Sequence, residues 1–220
     1  MKAIAENSIV ITGLLATMRN FKYPVNERPY EVNLLGVRNN NTIANTFDDR
    51  LYLFYKKSVN GGFIGCEYPI TTDPGTYHLK RPMMVEGTAI LKQGRWAYKL
   101  GYHQGYEALN QREPVVIIRD VDRNDVLGFK GGKEYSGFFG INIHRASKSG
   151  TTSSVDKWSA GCQVFADASD FADFMSRVKY SVSLYGNGSL YYHLVDNTTF
   201  SRTLMAEQYQ RDRFMALKNR

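Results

Sequence analysis

Short runs of apolar and aromatic residues, each of strand length and each bounded by turn residues, recur through most of this 220-residue sequence. Asn39-Asn40-Asn41 and Asn60-Gly61-Gly62 separate the first of them, because asparagine and glycine favour turns. Strands also favour aromatic side chains, which make up 13% of the chain. The pattern therefore predicts a mainly β protein. The predicted strands are 30–37, 51–55, 62–68, 76–79, 115–118, 126–129, 139–144 and 190–195.

One later segment has the periodicity of an amphipathic helix. Phe171, Phe174, Met175 and Val178 recur at spacings of three and four residues, which places them on one helix face. Asp167 can cap this helix, since its carboxylate can accept hydrogen bonds from the free N–H groups of the first turn. We therefore predict a helix that begins after Asp167.

The length and composition favour one globular domain with at most a small appendage. Apolar residues make up 43% of the chain and charged residues 22%, which excludes global disorder. We expect a single domain built on a curved sheet, mixed or antiparallel, with a few helices. The expected segments are an irregular N-terminal connector at 1–29, the domain at 30–200 and a basic helix or tail at 201–220.

The chain carries an excess of positive charge. It has 28 Lys and Arg against 21 Asp and Glu, a net charge of +7. This balance suits an anionic partner, such as a nucleic acid, a membrane surface or a wall polymer, but a soluble basic protein without such a partner can share it. No apolar run approaches the ~18 residues of a membrane span, and the nearest, at 9–18, is interrupted by Gly13 and lacks a clear cleavage site after it. We therefore expect neither a membrane span nor a cleaved signal peptide.

The stretch 140–165 has the residues of a cysteine-dependent active site. A predicted strand ends at His144, a polar loop follows, and Cys162 comes directly after Gly161. A thiol is a poor nucleophile until it loses its proton, which a nearby imidazole can accept. Backbone N–H groups beside the nucleophile can bind an oxyanion. Taken alone, this spacing leaves a second interpretation open, in which Cys162 is a small buried apolar residue and His144 makes structural hydrogen bonds.

This stretch resembles the catalytic domain of the L,D-transpeptidase family, also called YkuD-like. That family has a His, then about fourteen to seventeen residues, then Ser-His-Gly-Cys; here fourteen residues separate His144 from Ser159-Ala160-Gly161-Cys162. A second block, Thr72-Asp73-Pro74-Gly75-Thr76, resembles the threonine-proline-glycine turn that leads into a strand in the family. The two blocks occur in the order of the family and together cover about 68–165.

The resemblance implies a role for each matching residue. Cys162 would be the nucleophile, His144 the general base and Ser159 the serine that shapes the loop, while the backbone of Gly161 and Cys162 would form part of the oxyanion hole. Members of the family act on peptidoglycan stem peptides through an acyl-enzyme on the cysteine. An amine acceptor then gives a cross-link, and water gives hydrolysis.

Three positions depart from the family pattern. Ala160 replaces the motif histidine, Arg145 stands where glycine or serine is usual, and Val164 occupies a position that is often arginine. Arg145 either supplies the positive charge for a peptide carboxylate or is a solvated surface residue. These departures keep a second function open, a catalytically idle wall-binding or virion structural module on the same fold.

Other candidate residues are less specific. His103 either lines the same cleft or is a loop residue, Trp158 either walls the substrate groove or covers the core, and Cys66 is expected to be structural. We expect no cofactor and no metal site, because the four histidines are scattered without an HExxH pattern. The expected partners are a stem peptide and virion proteins, not nucleic acid.

The expected place of action is the bacterial cell wall. Because no convincing signal peptide is present, we predict a phage-encoded member of the family that reaches the wall with a virion or at lysis. If His144 activates Cys162, alkylation of the thiol should rise below pH 8.5, about the value for a free cysteine.

Overall fold

The computed structural model describes residues 1–129 and 132–218. Its first half contains β1 (Lys2–Ile4), α1 (Ile9–Asn20), β2 (Asn33–Arg38), β3 (Asp49–Lys56), β4 (Phe63–Thr71), α2 (Thr76–Lys80), β5 (Thr88–Leu91), β6 (Gly94–His103) and β7 (Tyr106–Gln111). Its second half contains β8 (Val115–Asp120), β9 (Glu134–Gly137), β10 (Ile143–Arg145), β11 (Gln163–Phe165), α3 (Ala168–Tyr185), β12 (Tyr191–Asp196) and α4 (Asn197–Lys218).

Nine strands form one large mixed sheet in the order β1-β4-β11-β10-β7-β6-β12-β2-β3. The last strand, β3, also pairs with β4, so the sheet curves until it closes on itself. Two pairs, β10–β11 and β12–β2, are parallel, and the other pairs are antiparallel. Strands β5, β8 and β9 form a separate antiparallel sheet. The expectation of a mainly β protein with a curved mixed sheet is confirmed.

The predicted helix is α3, and it closes the core behind the parallel pair β10–β11. The carboxylate of Asp167 accepts hydrogen bonds from the N–H groups of Ser169 and Asp170, as expected of a helix cap. Phe171 and Phe174 are buried against the aromatic rings of the sheet, with Phe174 tilted on Phe165 at 4.9 Å between ring centroids. The helix thereby fixes β11 and the chain that leads into it.

The expectation of an irregular connector at 1–29 was wrong. Strand β1 adds to the large sheet beside β4, and α1 buries Leu14 and Met18 completely. The side chain of Ser8 caps α1 by accepting from the N–H of Ile11. The apolar run at 9–18 is helical because it can bury one face against the sheet and another against α4, where Gly13 allows a close approach to Leu204.

The basic C-terminal segment forms most of α4, whereas Asn219 and Arg220 lie outside the described residues. Phe200 and Thr203 are buried near the start of the helix, but its later turns expose large apolar side chains such as Tyr209 and Phe214. None of the described helices is long and apolar enough to cross a membrane.

Three of the predicted strands differ in the structure. Residues 76–79 form the short helix α2, which starts at the extended Gly75. Residues 126–129 contain only an isolated bridge between Val126 and Ile43, and of 139–144 only the end belongs to a strand, β10. The hairpin β6–β7 was not predicted, although Trp96, Tyr98, Leu100 and Tyr102 alternate along β6 and Gln104-Gly105 has the two positive φ angles of a tight hairpin turn.

Candidate active site

A cleft of about 980 Å³ lies between the large sheet and the three-stranded sheet. One side, here called the nucleophile wall, consists of His103, Ile141, His144, Trp158, Ala160 and Cys162. The other, here called the small-sheet wall, consists of Met83, Met84, Gly87, Thr88, Ala89, Arg119, Phe138 and Phe139. The cleft thus contains the predicted nucleophile and the predicted base.

Cys162 ends the loop between β10 and β11 and faces the cleft with part of its surface. Its Sγ accepts a hydrogen bond from the N–H of Asn142 at 3.4 Å and donates one to the carbonyl of Gly140 at 3.5 Å. Burial raises the pKa of the Cys162 thiol to about 11, only partly offset by the bond from Asn142. The resting side chain is therefore a neutral thiol.

The loop around Cys162 is held by its own polar atoms. Ser159 is fully buried, and its hydroxyl accepts from the N–H of Gly161 at 3.2 Å and donates to the carbonyl of Cys162 at 2.9 Å. Gly161 has φ +122°, and a Cβ there would lie 2.5 Å from the carbonyl oxygen of Ala89. Within the described residues the N–H of Cys162 donates no hydrogen bond, so it is the free donor beside the sulfur.

The second sequence block packs directly against this loop. The N–H of Gly75 donates to the carbonyl of Ser159 at 2.9 Å, and a Cβ on Gly75 would lie 1.9 Å from the carbonyl oxygen of Asp156. Only glycine therefore fits where the two segments meet. The buried guanidinium of Arg38 fixes the turn from behind, because it donates to both the hydroxyl and the carbonyl of Thr72 at 2.7 and 2.9 Å.

His144 lies on β10, buried except where it lines the cleft. Its Nδ1 lies 2.9 Å from the carbonyl of Arg145, which can only accept, so Nδ1 carries the proton and Nε2 is the basic nitrogen. The hydroxyl of Tyr106 lies 3.3 Å from the same Nδ1 and donates to the same carbonyl at 3.1 Å. Burial lowers the pKa of His144 to about 4, so the imidazole is neutral at physiological pH.

His103 stacks on His144 with 4.2 Å between the ring centroids. The side-chain amide of Asn142 donates to Nδ1 of His103 at 3.3 Å, so this ring carries its proton on Nε2. Burial also lowers the pKa of His103. The hairpin turn after β6 thus brings a second neutral imidazole to the nucleophile wall.

Cys162 and His144 share the cleft without a hydrogen bond between them. In the part of the chain that the structure describes, the sulfur bonds to backbone atoms of Gly140 and Asn142 instead. The directions of both pKa changes favour the neutral thiol and the neutral imidazole over the ion pair. Proton transfer before attack is therefore unfavourable, which argues against the expected alkylation below pH 8.5.

The four predicted substrate-binding residues have different surroundings. Trp158 and His103 line the cleft, while Ser159 is buried beneath it. Arg145 is absent from the lining: its guanidinium lies 4.1 Å from the centroid of the Tyr106 ring, and its carbonyl orients His144. Cys66 is buried in β4 and unpaired with Cys162, and burial raises its pKa.

Sequence reasoning missed the small-sheet wall. Arg119 projects from β8 into the cleft, and Phe138 and Met84 are exposed at its rim. Only the run 115–118 pointed to β8, and nothing in the local pattern marked Arg119, one residue beyond that run, as lining the same cleft as Cys162. Among the described residues no three His, Cys, Asp or Glu side chains come together as a metal ion would require. Comparison of the chain with protein-family models, curated proteins and solved structures gave no match.

Proposed function

We propose that this protein is a cysteine-dependent transpeptidase or peptidase that acts on peptidoglycan stem peptides, as the resemblance to the L,D-transpeptidase family implies. One observation carries the proposal: Cys162, the free N–H beside its sulfur and the basic Nε2 of His144 belong to one cleft of peptide size. These are the nucleophile, the oxyanion donor and the base that acyl transfer needs.

In the proposed reaction the Cys162 sulfur attacks the carbonyl carbon of a stem-peptide bond while Nε2 of His144 takes the thiol proton. The N–H of Cys162 stabilises the oxyanion, since the N–H of Gly161 is already bonded to Ser159. The C–N bond then breaks, and the leaving amine takes the proton from the imidazolium. An amine or water attacks the thioester, which releases the acyl group and restores the thiol.

This mechanism requires the Cys162 thiol to turn from the carbonyl of Gly140 towards the imidazole. Since the thiol and imidazole are both neutral at rest, proton transfer must accompany attack rather than precede it. Bound peptide would favour this step by expelling water and placing the carbonyl beside the sulfur.

A second candidate function is a catalytically idle wall-binding module. The specific observation in its favour is that the sulfur makes both of its hydrogen bonds to backbone atoms and none to an imidazole of the described residues. The replacement of the motif histidine by Ala160 agrees with it. In this case the cleft would hold a stem peptide without cleaving it.

We further propose that the protein is phage-encoded and meets the wall when a virion or a lysis event delivers it. Detection of the protein in purified virions or lysates would support it, whereas export by the general secretion route would contradict it.

The experiment that decides between the two functions is digestion of purified peptidoglycan, with the products identified by mass spectrometry. New cross-links would indicate transpeptidation, and shortened stems would indicate hydrolysis. The Cys162→Ala variant is the control, because it retains the cleft but lacks the nucleophile. If the wild-type protein and this variant gave identical digests while both bound the wall, the idle module would be the better description.

A further inference from the structure

Within the part of the chain that the structure describes, Arg119 is an arginine of the cleft without a carboxylate partner. Two other arginines that are at least partly buried pair with acids: Arg38 with Asp73 at 3.0 Å, and Arg177 with its neighbour on α3 at 2.9 Å. Nη1 of Arg119 donates to the carbonyl of Gly87 at 2.9 Å, whereas its buried Nε–H has no acceptor within the described residues. Such an unpaired donor is costly, and the guanidinium is therefore suited to an incoming anion.

The surroundings hold this side chain in place without neutralising it. The guanidinium carbon lies 5.9 Å from the ring centroid of Tyr135 and 5.5 Å from that of Phe139. An aromatic face attracts a cation but does not occupy the N–H donors of the guanidinium, which point outwards in the plane of that group. Arg119 is thus positioned by packing while part of its binding capacity stays unused.

Backbone pairing places Arg119 one strand away from the nucleophile loop. Arg119 is directly opposite Ala89 in the β5–β8 ladder, and the carbonyl of Ala89 is the atom that a Cβ on Gly161 would reach. Neighbouring strands lie about 4.8 Å apart, and successive Cα atoms of a bound peptide about 3.8 Å apart. An arginine at this position can therefore reach a group that lies a residue or two from a carbonyl at Cys162.

The charge of the cleft selects the kind of group. Within the described residues its lining contains two cations, Arg119 and Lys157, and no aspartate or glutamate. A carboxylate matches a guanidinium in charge and in planar geometry, and partial exclusion of water strengthens the pair.

We propose that Arg119 is a specificity-determining residue that binds a carboxylate of the donor peptide close to the bond that Cys162 attacks. This inference rests on the proposed function, and it assigns to Arg119 the contact that the sequence suggested for Arg145. The carboxylate can be the C-terminal one of the stem peptide or that of a side chain, and the two sources are chemically separable.

The test is calorimetric binding of a synthetic stem tetrapeptide to the full-length Cys162→Ala protein, with and without Arg119→Gln. Three peptides are compared: the free acid, its C-terminal amide and a form with amidated side-chain carboxylates. We expect Arg119→Gln to weaken binding of the free acid about 10- to 100-fold. Arg119→Lys should lose less affinity, because lysine keeps the positive charge but lacks the two parallel N–H donors of the guanidinium. The matched control is Arg123→Gln, an exposed arginine on the turn after β8.

The peptide that loses its dependence on Arg119 identifies the carboxylate. If the C-terminal amide binds equally weakly to the proteins with and without Arg119→Gln, the terminal carboxylate is the ligand of Arg119. If instead the peptide with amidated side chains behaves in this way, the side-chain carboxylate is the ligand. Either result supports the proposal. A loss of similar size for all three peptides, no loss at all, or no binding of the free acid would overturn it. If Arg119→Gln proves to be misfolded, the three peptides are compared on the protein that keeps Arg119, where weaker binding of one amide identifies the carboxylate because amidation changes the ligand alone.

Turnover by the protein with Cys162 intact separates this inference from the proposed function. If the tetrapeptide is converted, Arg119→Gln should raise KM and leave kcat nearly unchanged. An unchanged KM would contradict the role of Arg119 but not the proposed catalytic function. If the peptide binds through Arg119 but is never converted, the catalytic proposal fails and the binding site remains.

Discussion

The two walls of the cleft differ in how firmly their side chains are held. On the nucleophile wall, backbone atoms fix the reactive groups: His144 bonds to the carbonyl of Arg145, and the Cys162 loop is tied through the buried Ser159. On the small-sheet wall, Met83 is 77% exposed and Phe138 is 67% exposed. The nucleophile wall therefore holds its reactive groups in fixed positions, whereas the exposed apolar side chains of the small-sheet wall can adapt to a ligand.

This difference predicts a division of labour. Reactive groups must keep their positions to within a fraction of an ångström, whereas apolar contacts can rearrange around a ligand at little cost. Changes on the nucleophile wall should therefore lower kcat, and changes on the small-sheet wall should raise KM. The expected effects of changing these walls, or the contact between them, decrease in size from the first experiment to the last.

Removal of the nucleophile should have the largest effect. We expect Cys162→Ala to lower turnover of a stem peptide at least about a thousandfold, because no other thiol faces the cleft among the described residues. Cys66→Ala is the matched control and should retain activity, since Cys66 is buried in β4. Steady-state kinetics on the two variants measure the difference. Comparable losses would show that Cys162 is not the nucleophile.

The substitution His144→Gln removes the proposed base and should lower kcat about a hundredfold or more. The pH profile gives a second measure. Because the pKa of His144 is lowered to about 4, the imidazole stays unprotonated well below its ordinary value of about 6.5, so activity should persist in that range and fall only near pH 4. An acid limb near pH 6.5 that survives in His144→Gln would assign the titration to another group.

Resting alkylation should be slow. Since burial raises the pKa of Cys162 to about 11, its thiolate fraction at pH 7 lies well below that of a free cysteine near 8.5. In the Cys66→Ala background we expect iodoacetamide to react about a hundredfold more slowly than with the unfolded chain, and the rate to rise above pH 8.5. Rapid alkylation at pH 6 that depends on His144 would reveal an ion pair in the cleft.

The contact between the walls should be sensitive to one methyl group. At Gly161 a side chain meets both a positive φ and the carbonyl of Ala89, so Gly161→Ala must push the nucleophile loop away from β5. We expect about a tenfold loss of kcat and about 1–3 kcal/mol of stability by chemical unfolding. Gly188→Ala is the control, because it has open space and no positive φ. Equal behaviour of the two variants would mean that the walls do not need this contact.

The smallest effect is expected at the rim. Phe138→Ala should raise KM a few-fold with kcat unchanged, since the ring is exposed and can contribute only the apolar area that a peptide covers. Phe214→Ala, at an exposed position of α4 far along the chain, is the matched control. A fall in kcat in the Phe138→Ala variant would contradict the proposal that the small-sheet wall affects only KM.

Features that depend on near neighbours in the chain could be predicted from the amino acids alone. The mainly β class followed from short apolar runs between turns, and α3 followed from a cap at Asp167 and an apolar stripe. The pair His144 and Cys162 was identified from residue type and spacing, although its activity remains a prediction. We expected an irregular segment at 9–18 and a strand at 76–79, but both runs are helical, because burial against the rest of the fold outweighs the local pattern there.

The contacts between residues on opposite walls of the cleft could be learned only from the folded structure. Arg119, Ala89 and Gly161 lie far apart in the chain and come together through strand pairing and one close backbone contact. The proton position on His144 likewise depends on a carbonyl that folding brings beside its ring. Periodicity reports which face of an element is buried, but the partner across that face is set by packing of the whole chain. For that reason the sequence offered Arg145 as either a carboxylate-binding or a solvated residue and did not point to Arg119, which the fold places in the cleft.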